Sequence, residues 1–105
     1  MATVVATSKD NGGTVRARVG DELLLRLPET PATGFRWKID VSPVNLTLRH
    51  DEFDPASGGV GGRGTRTFEF RAQSAGDTTL GLKRWREWEG DASIAERFDA
   101  SIHVD

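Results

Sequence analysis

The chain has 105 residues, 12 of them glycine and none cysteine, and its 14 Lys and Arg against 16 Asp and Glu leave a formal net charge of −2. That length fits one domain, spanning 1–105, and a hydrophobic share of 36% makes its core a thin one. Without cysteine there are no disulfides, thiolate nucleophiles or cysteine-held metals, and interspersed charges of both signs exclude the counterion-driven phosphate binding of a nucleic-acid protein. The opening residues Met1 to Lys9 lack the basic start and long apolar run of a leader, and no stretch is long enough to cross a membrane. The expectation is a cytoplasmic protein as the sequence stands, periplasmic or secreted if a leader has been removed, with no membrane partner.

Period-two alternation dominates and helical periodicity is weak. Val15, Ala17 and Val19 alternate with Thr14, Arg16 and Arg18; Gly20-Asp21 then turns the chain into a strand carrying Leu23, Leu25 and Leu27. Beyond Pro31, the residues Phe35, Trp37, Ile39 and Val41 share one face of a strand, which makes Trp37 a core residue. Leu46 and Leu48 mark a shorter strand, and the segment from about Asp51 to Gly64 has no period and reads as a long loop. A strand from Thr65 to Ala72 follows, with Phe68 and Phe70 inward. Ala75-Gly76-Asp77 turns the chain into Leu80 and Leu82, and Arg84 to Asp91 is crowded with charge and tryptophan. Phe98, Ala100, Ile102 and Val104 form a clean closing strand. The expected fold is all-β, an immunoglobulin-like antiparallel β-sandwich of about seven strands, without the cysteine pair of antibody domains.

Three segments lie between these strands, where a rigid scaffold usually carries its binding residues. In Thr30-Pro31-Ala32-Thr33-Gly34-Phe35, proline fixes its own φ and biases Thr30 toward extended backbone, while Gly34 can take a positive φ, so the loop is stiff. A plain proline-glycine turn would need no more than that. Gly59-Val60-Gly61-Gly62-Arg63-Gly64 has the letters of a dinucleotide-binding loop but is followed by a strand, not by the helix whose N-terminus would hold a pyrophosphate. It is either a surface loop or bare backbone placed to lie close against a partner. In the third segment Trp88 stands among Arg86, Glu87, Glu89, Gly90 and Asp91, a setting better suited to an exposed anchor than to burial. Trp85 is the stronger candidate for the core.

Taken in this order, the three segments resemble the loop signatures of the chagasin-like inhibitors of papain-family cysteine proteases, Asn-Pro-Thr-Thr-Gly-Phe, Gly-x-Gly-Gly and Arg-Pro-Trp. Thr30, Ala32 and Glu87 depart from those signatures. The third can be laid over Arg84-Trp85 or over Arg86-Glu87-Trp88; the second register fits the spacing to the strands on either side without a gap. Glu87 in place of proline leaves a looser loop. The resemblance implies a monomeric, reversible inhibitor, not an enzyme, whose loops cluster at one end and occlude the protease cleft. It implies that Pro31, Ala32, Thr33, Gly34 and Phe35 cover the catalytic centre, that Gly59, Val60, Gly61 and Gly62 approach by backbone, and that Arg86 and Trp88 supply a charged and an aromatic contact. The alternative from another class is a non-inhibitory immunoglobulin-like binding or adhesion module.

Catalytic and metal chemistry find little support. His103 falls on the polar face of the closing strand and His50 before an acidic run, each read as a solvated side chain. Asp51, Glu52 and Asp54 lack the spacing of a calcium loop. No cofactor and no metal are expected. Asn45-Leu46-Thr47 has the letters of a glycosylation sequon.

Overall fold

The computed structural model describes residues 2–30, 33–55 and 64–105. Eight strands are present among them: β1 (Thr3–Thr7), β2 (Thr14–Ala17), β3 (Glu22–Glu29), β4 (Arg36–Val41), β5 (Leu46–Pro55), β6 (Gly64–Ala72), β7 (Gly76–Trp85) and β8 (Glu96–Val104). They form two four-stranded sheets, ordered β1-β3-β6-β5 and β2-β8-β7-β4. Alternation decides which side chains meet between the sheets. Leu23, Leu25 and Leu27 of β3 face Phe98, Ala100, Ile102 and Val104 of β8 across a core completed by Phe68, Phe70, Leu80, Leu82 and Trp37. Each large apolar side chain removed from water there contributes about 1.5–3 kcal/mol.

The sandwich departs from the expected one in count and in pairing. The N-terminal segment supplies an additional strand, β1, which runs parallel to β3, and β2 runs parallel to β8; the remaining pairs are antiparallel. Only Ala6 of β1 is buried, so its five residues carry almost no alternation to read. The loop expected from Asp51 to Gly64 is shorter than that. β5 continues through Pro55, and Gly64 already pairs with it as the first residue of β6. Asp51 to Pro55 lie on a sheet edge with Phe53 half-buried and the rest exposed, so main-chain pairing, not side-chain burial, makes them a strand. Val19, Val41 and Leu48 are exposed, not core. Val19 lies beyond the end of β2, and the pairing of β4 shifts register between Ile39 and Val41.

Register also fixes where the loops emerge. Glu29, the last residue of β3, is opposite Gly64, which is opposite Pro55, so the β3–β4 and β5–β6 connections leave the same end of one sheet. Arg36 at the start of β4 is opposite Trp85 at the end of β7. The segment after β7 therefore rises beside the return of the β3–β4 loop, at that same end.

Candidate functional site

The end of the sandwich built this way joins the first and third of the segments singled out in the sequence. Thr33 closes a turn on Thr30, its amide and its hydroxyl both donating to the Thr30 carbonyl at 3.1 and 2.7 Å. The Phe35 amide donates to Thr33 Oγ1 at 3.4 Å. Gly34 has φ +82°, in the left-handed region expected for it. Arg86 reaches across from the third segment: its Nε donates to the Thr33 carbonyl at 3.1 Å, and its guanidinium lies 4.4 Å from the centre of the Phe35 ring. The guanidinium of Arg84 stands 5.4 Å from the same ring. Phe35 is thus a half-buried platform for two arginines, a cation–π arrangement of the kind that strengthens as water is removed.

Trp88 crowns this junction. It is 72% exposed, and its indole leans over Gly34. Together with Trp85, Arg36, Lys38 and Glu87 it walls an open groove of about 680 Å³. Trp85 serves a different purpose. As the last residue of β7 it is half-buried, with the Lys83 ammonium 3.6 Å from the centre of its ring and that of Lys38 at 5.7 Å.

The third segment is better braced than the loss of a proline suggested. Residues Glu87–Ser93 form 3-10 turns with a break at Gly90, φ +74°. Ser93 Oγ accepts the Arg86 amide at 3.0 Å and lies 2.7 Å from the Gly90 carbonyl, to which it donates. Arg86 pairs with Glu89 at 3.0 Å. Lys83, nearly buried, pairs with Asp91 at 2.9 Å and Asp40 at 3.5 Å. The hydrogen bond to Asp91 holds the Lys83 ammonium above its ordinary pKa, and the same bond holds the Asp91 carboxyl below the usual carboxylate range.

Of the candidate binding residues, Thr33, Gly34, Phe35, Arg86 and Trp88 are brought together. Pro31, Ala32, Gly59, Val60, Gly61 and Gly62 lie outside the described residues. Among the described residues no group of three or more His, Asp and Glu could hold a metal ion. Asn45 is buried and its Nδ2 donates to the Gly76 carbonyl at 3.0 Å, so the folded chain does not offer that amide for glycosylation. His103 is half-buried, not free in solvent: its ring lies 2.5 Å from Asp77 and 2.7 Å from Asp105. His50 is exposed and 3.7 Å from Glu69.

Sequence reasoning passed over Glu29 and Arg66. The Glu29 side chain has no solvent exposure and pairs with Arg66 at 2.8 Å. One signal was available, since Glu29 continues the inward series Leu23, Leu25, Leu27 and so places a carboxylate in the core at the foot of the first loop.

An immunoglobulin-like sandwich that gathers the turn at Thr33 and Gly34, two arginines and an exposed tryptophan at one end is a scaffold for presenting loops to another macromolecule. Residues 16–102 match the chagasin family of peptidase inhibitors, and the chain belongs to that family. Chagasin of Trypanosoma cruzi is 32% identical over 98 residues, spanning 88% of this chain and 89% of that protein. Amoebiasin-2 of Entamoeba histolytica is 27% identical over 88 residues, covering 81% and 72%. The crystal structure of the cysteine protease inhibitor EhICP2 from Entamoeba histolytica superposes with a TM-score of 0.89 at 25% identity, covering 100% of this chain and 97% of that one. The family is one of peptidase inhibitors, and the chain is an inhibitor rather than an enzyme.

Proposed function

We propose that this protein is a reversible, tight-binding inhibitor of papain-family cysteine proteases that fills their active-site cleft with its loop end. Thr33 and Gly34, with Pro31, Ala32 and Phe35, cover the catalytic cysteine. Gly59, Val60, Gly61 and Gly62 lie along one wall by backbone, and Arg86 with Trp88 grips the other. The observation that carries this reading is the junction of Arg86 with Thr33 and Phe35 beneath an exposed Trp88. It holds two loops as one unit before any partner arrives. Such preorganisation lowers the entropy lost on docking, which lets a standard interface of roughly 1,600 Å² yield tight binding. That EhICP2 is a cysteine protease inhibitor supports the choice of target class.

The test is a titration of papain, with trypsin and thermolysin as controls. Papain activity is expected to fall in proportion to added protein until the enzyme is used up, with the controls unaffected and the inhibitor's mass unchanged. Stoichiometric cleavage between Thr30 and Phe35 would instead mark a substrate-like mechanism and defeat the occlusion reading.

A further inference from the structure

Both oxygens of the Glu29 carboxylate are used, and they point to opposite sides of the loop end. Oε1 accepts the Trp37 amide at 2.7 Å. Trp37 lies just past the far end of the first loop, so this bond closes the loop at its neck. Oε2 alone accepts from both Nε and Nη2 of Arg66, at 3.0 and 2.8 Å, so the two charge-assisted bonds converge on a single oxygen. Arg66 stands on β6 just after the second loop, and its Nη1 donates to Asp51 of β5 at 3.0 Å. Its guanidinium also lies 5.6 Å from the centre of the Phe53 ring. Glu29 itself is paired through the main chain with Gly64, where a β-carbon would collide with the Asp54 carbonyl and approach the Phe53 ring. One buried carboxylate thus ties the neck of the first loop to both strands that carry the second.

A buried ion pair contributes little net stability compared with apolar side chains of similar volume, because desolvation offsets the attraction. What it does supply is direction, since its hydrogen bonds are satisfied in one arrangement only. Burial works against the charge of Arg66, but its bonds to Glu29 and Asp51 outweigh that and raise its pKa. Resting on the reading of this end as the protease-binding surface, we propose that Glu29 is a positioning residue that sets the neck of the first loop relative to β5 and β6 through Trp37, Arg66 and Asp51. It need not touch the enzyme.

E29Q keeps the shape of the side chain and removes its charge; R66Q and the E29Q/R66Q pair complete the set, with papain as the probe. Folded E29Q is expected to associate at least about tenfold more slowly while dissociating nearly as wild type does, because only the free state has lost its order. The double variant should be no worse than the worse single one, as for partners in one interaction. A loss of overall stability would leave both rate constants of the folded protein unmoved. Exchange of the Thr33 and Trp37 amides in the free proteins should also quicken in E29Q, and this needs no protease. If wild type fails to inhibit papain, the inhibitor reading falls and amide exchange alone decides the positioning role. A folded E29Q with wild-type association and wild-type exchange overturns the proposal, as does full additivity with R66Q. Should E29Q not fold, E29D, whose carboxylate is drawn back by one methylene, carries the same test with the same outcomes.

Discussion

The indole of Trp88 lies so close over Gly34 that a β-carbon on the glycine would collide with Cη2 and stand 3.1 Å from Cζ2. The glycine is fixed twice, by its φ of +82° and by this contact. Gly34→Val is therefore expected to cost on the order of 1–2 kcal/mol in backbone conformation and to displace Trp88 as well. Inhibition should weaken, the thermal melt should fall by several degrees in step with that cost, at about 4–8 °C per kcal/mol, and tryptophan emission should change. Unaltered inhibition of papain would show that the contact does not matter for binding.

The three tryptophans should separate cleanly. Trp88→Ala removes an exposed side chain and should weaken inhibition by roughly 2 kcal/mol or more, the scale of an interface anchor, with little effect on stability. Trp85→Ala should cost less inhibition, because that ring supports Lys83 and thereby the third loop from below. Inhibition constants with matched denaturant melts decide it; if folded Trp85→Ala abolishes inhibition and Trp88→Ala does not, the contact pair is Arg84 and Trp85.

Trp37 is a core residue with a second duty. Its Nε1 donates to the Pro28 carbonyl at 2.9 Å, and its amide closes the first loop on Glu29. Trp37→Ala should destabilise the fold by about 3–5 kcal/mol, a large part of the roughly 5–15 kcal/mol that holds a domain of this size. Urea unfolding measures this directly, and a shift below about 1 kcal/mol would contradict the packing described.

His103 gives the protein a pH response. Its hydrogen bond to Asp77, and then that to Asp105, favour the imidazolium and raise its pKa above the ordinary 6.5, against a smaller effect of burial. Arg16, opposite it on β2, is the cation on the neighbouring strand. The stabilisation is complete below the unfolded value and is lost as pH rises through the higher folded one. Between about pH 6 and about pH 9, wild type should lose more melting temperature than His103→Gln. Parallel pH profiles for the two proteins would show that the clasp contributes nothing.

Where side chains alternate, the sequence was readable. Phe98, Ala100, Ile102 and Val104 are inward as their spacing demands, and Trp37 is in the core. Where main-chain bonds or ion pairs hold a residue, it was not. Asp51 to Pro55 are a strand because β6 offers them partners, and no pattern in the side chains records that. Lys83 is nearly buried because Trp85, two residues on along β7, covers it and because Asp91 and Asp40 reach it from segments that the fold brings near. The junction of Arg86 with Thr33 is likewise a product of register, Arg36 opposite Trp85, and not of any local motif.

The strand at the middle of the second sheet is the last one in the chain. β8 lies between β2 and β7, so Thr14 near the start has no partner until Ser101 near the end is made. Pairings this distant in sequence make folding slow and place its completion late in synthesis. A nascent chain on the ribosome can display the letters of all three loops and still lack the sheet that aims them. Competence therefore waits on β8, because its pairing with β2 and with β7 completes the sheet from which the third loop rises.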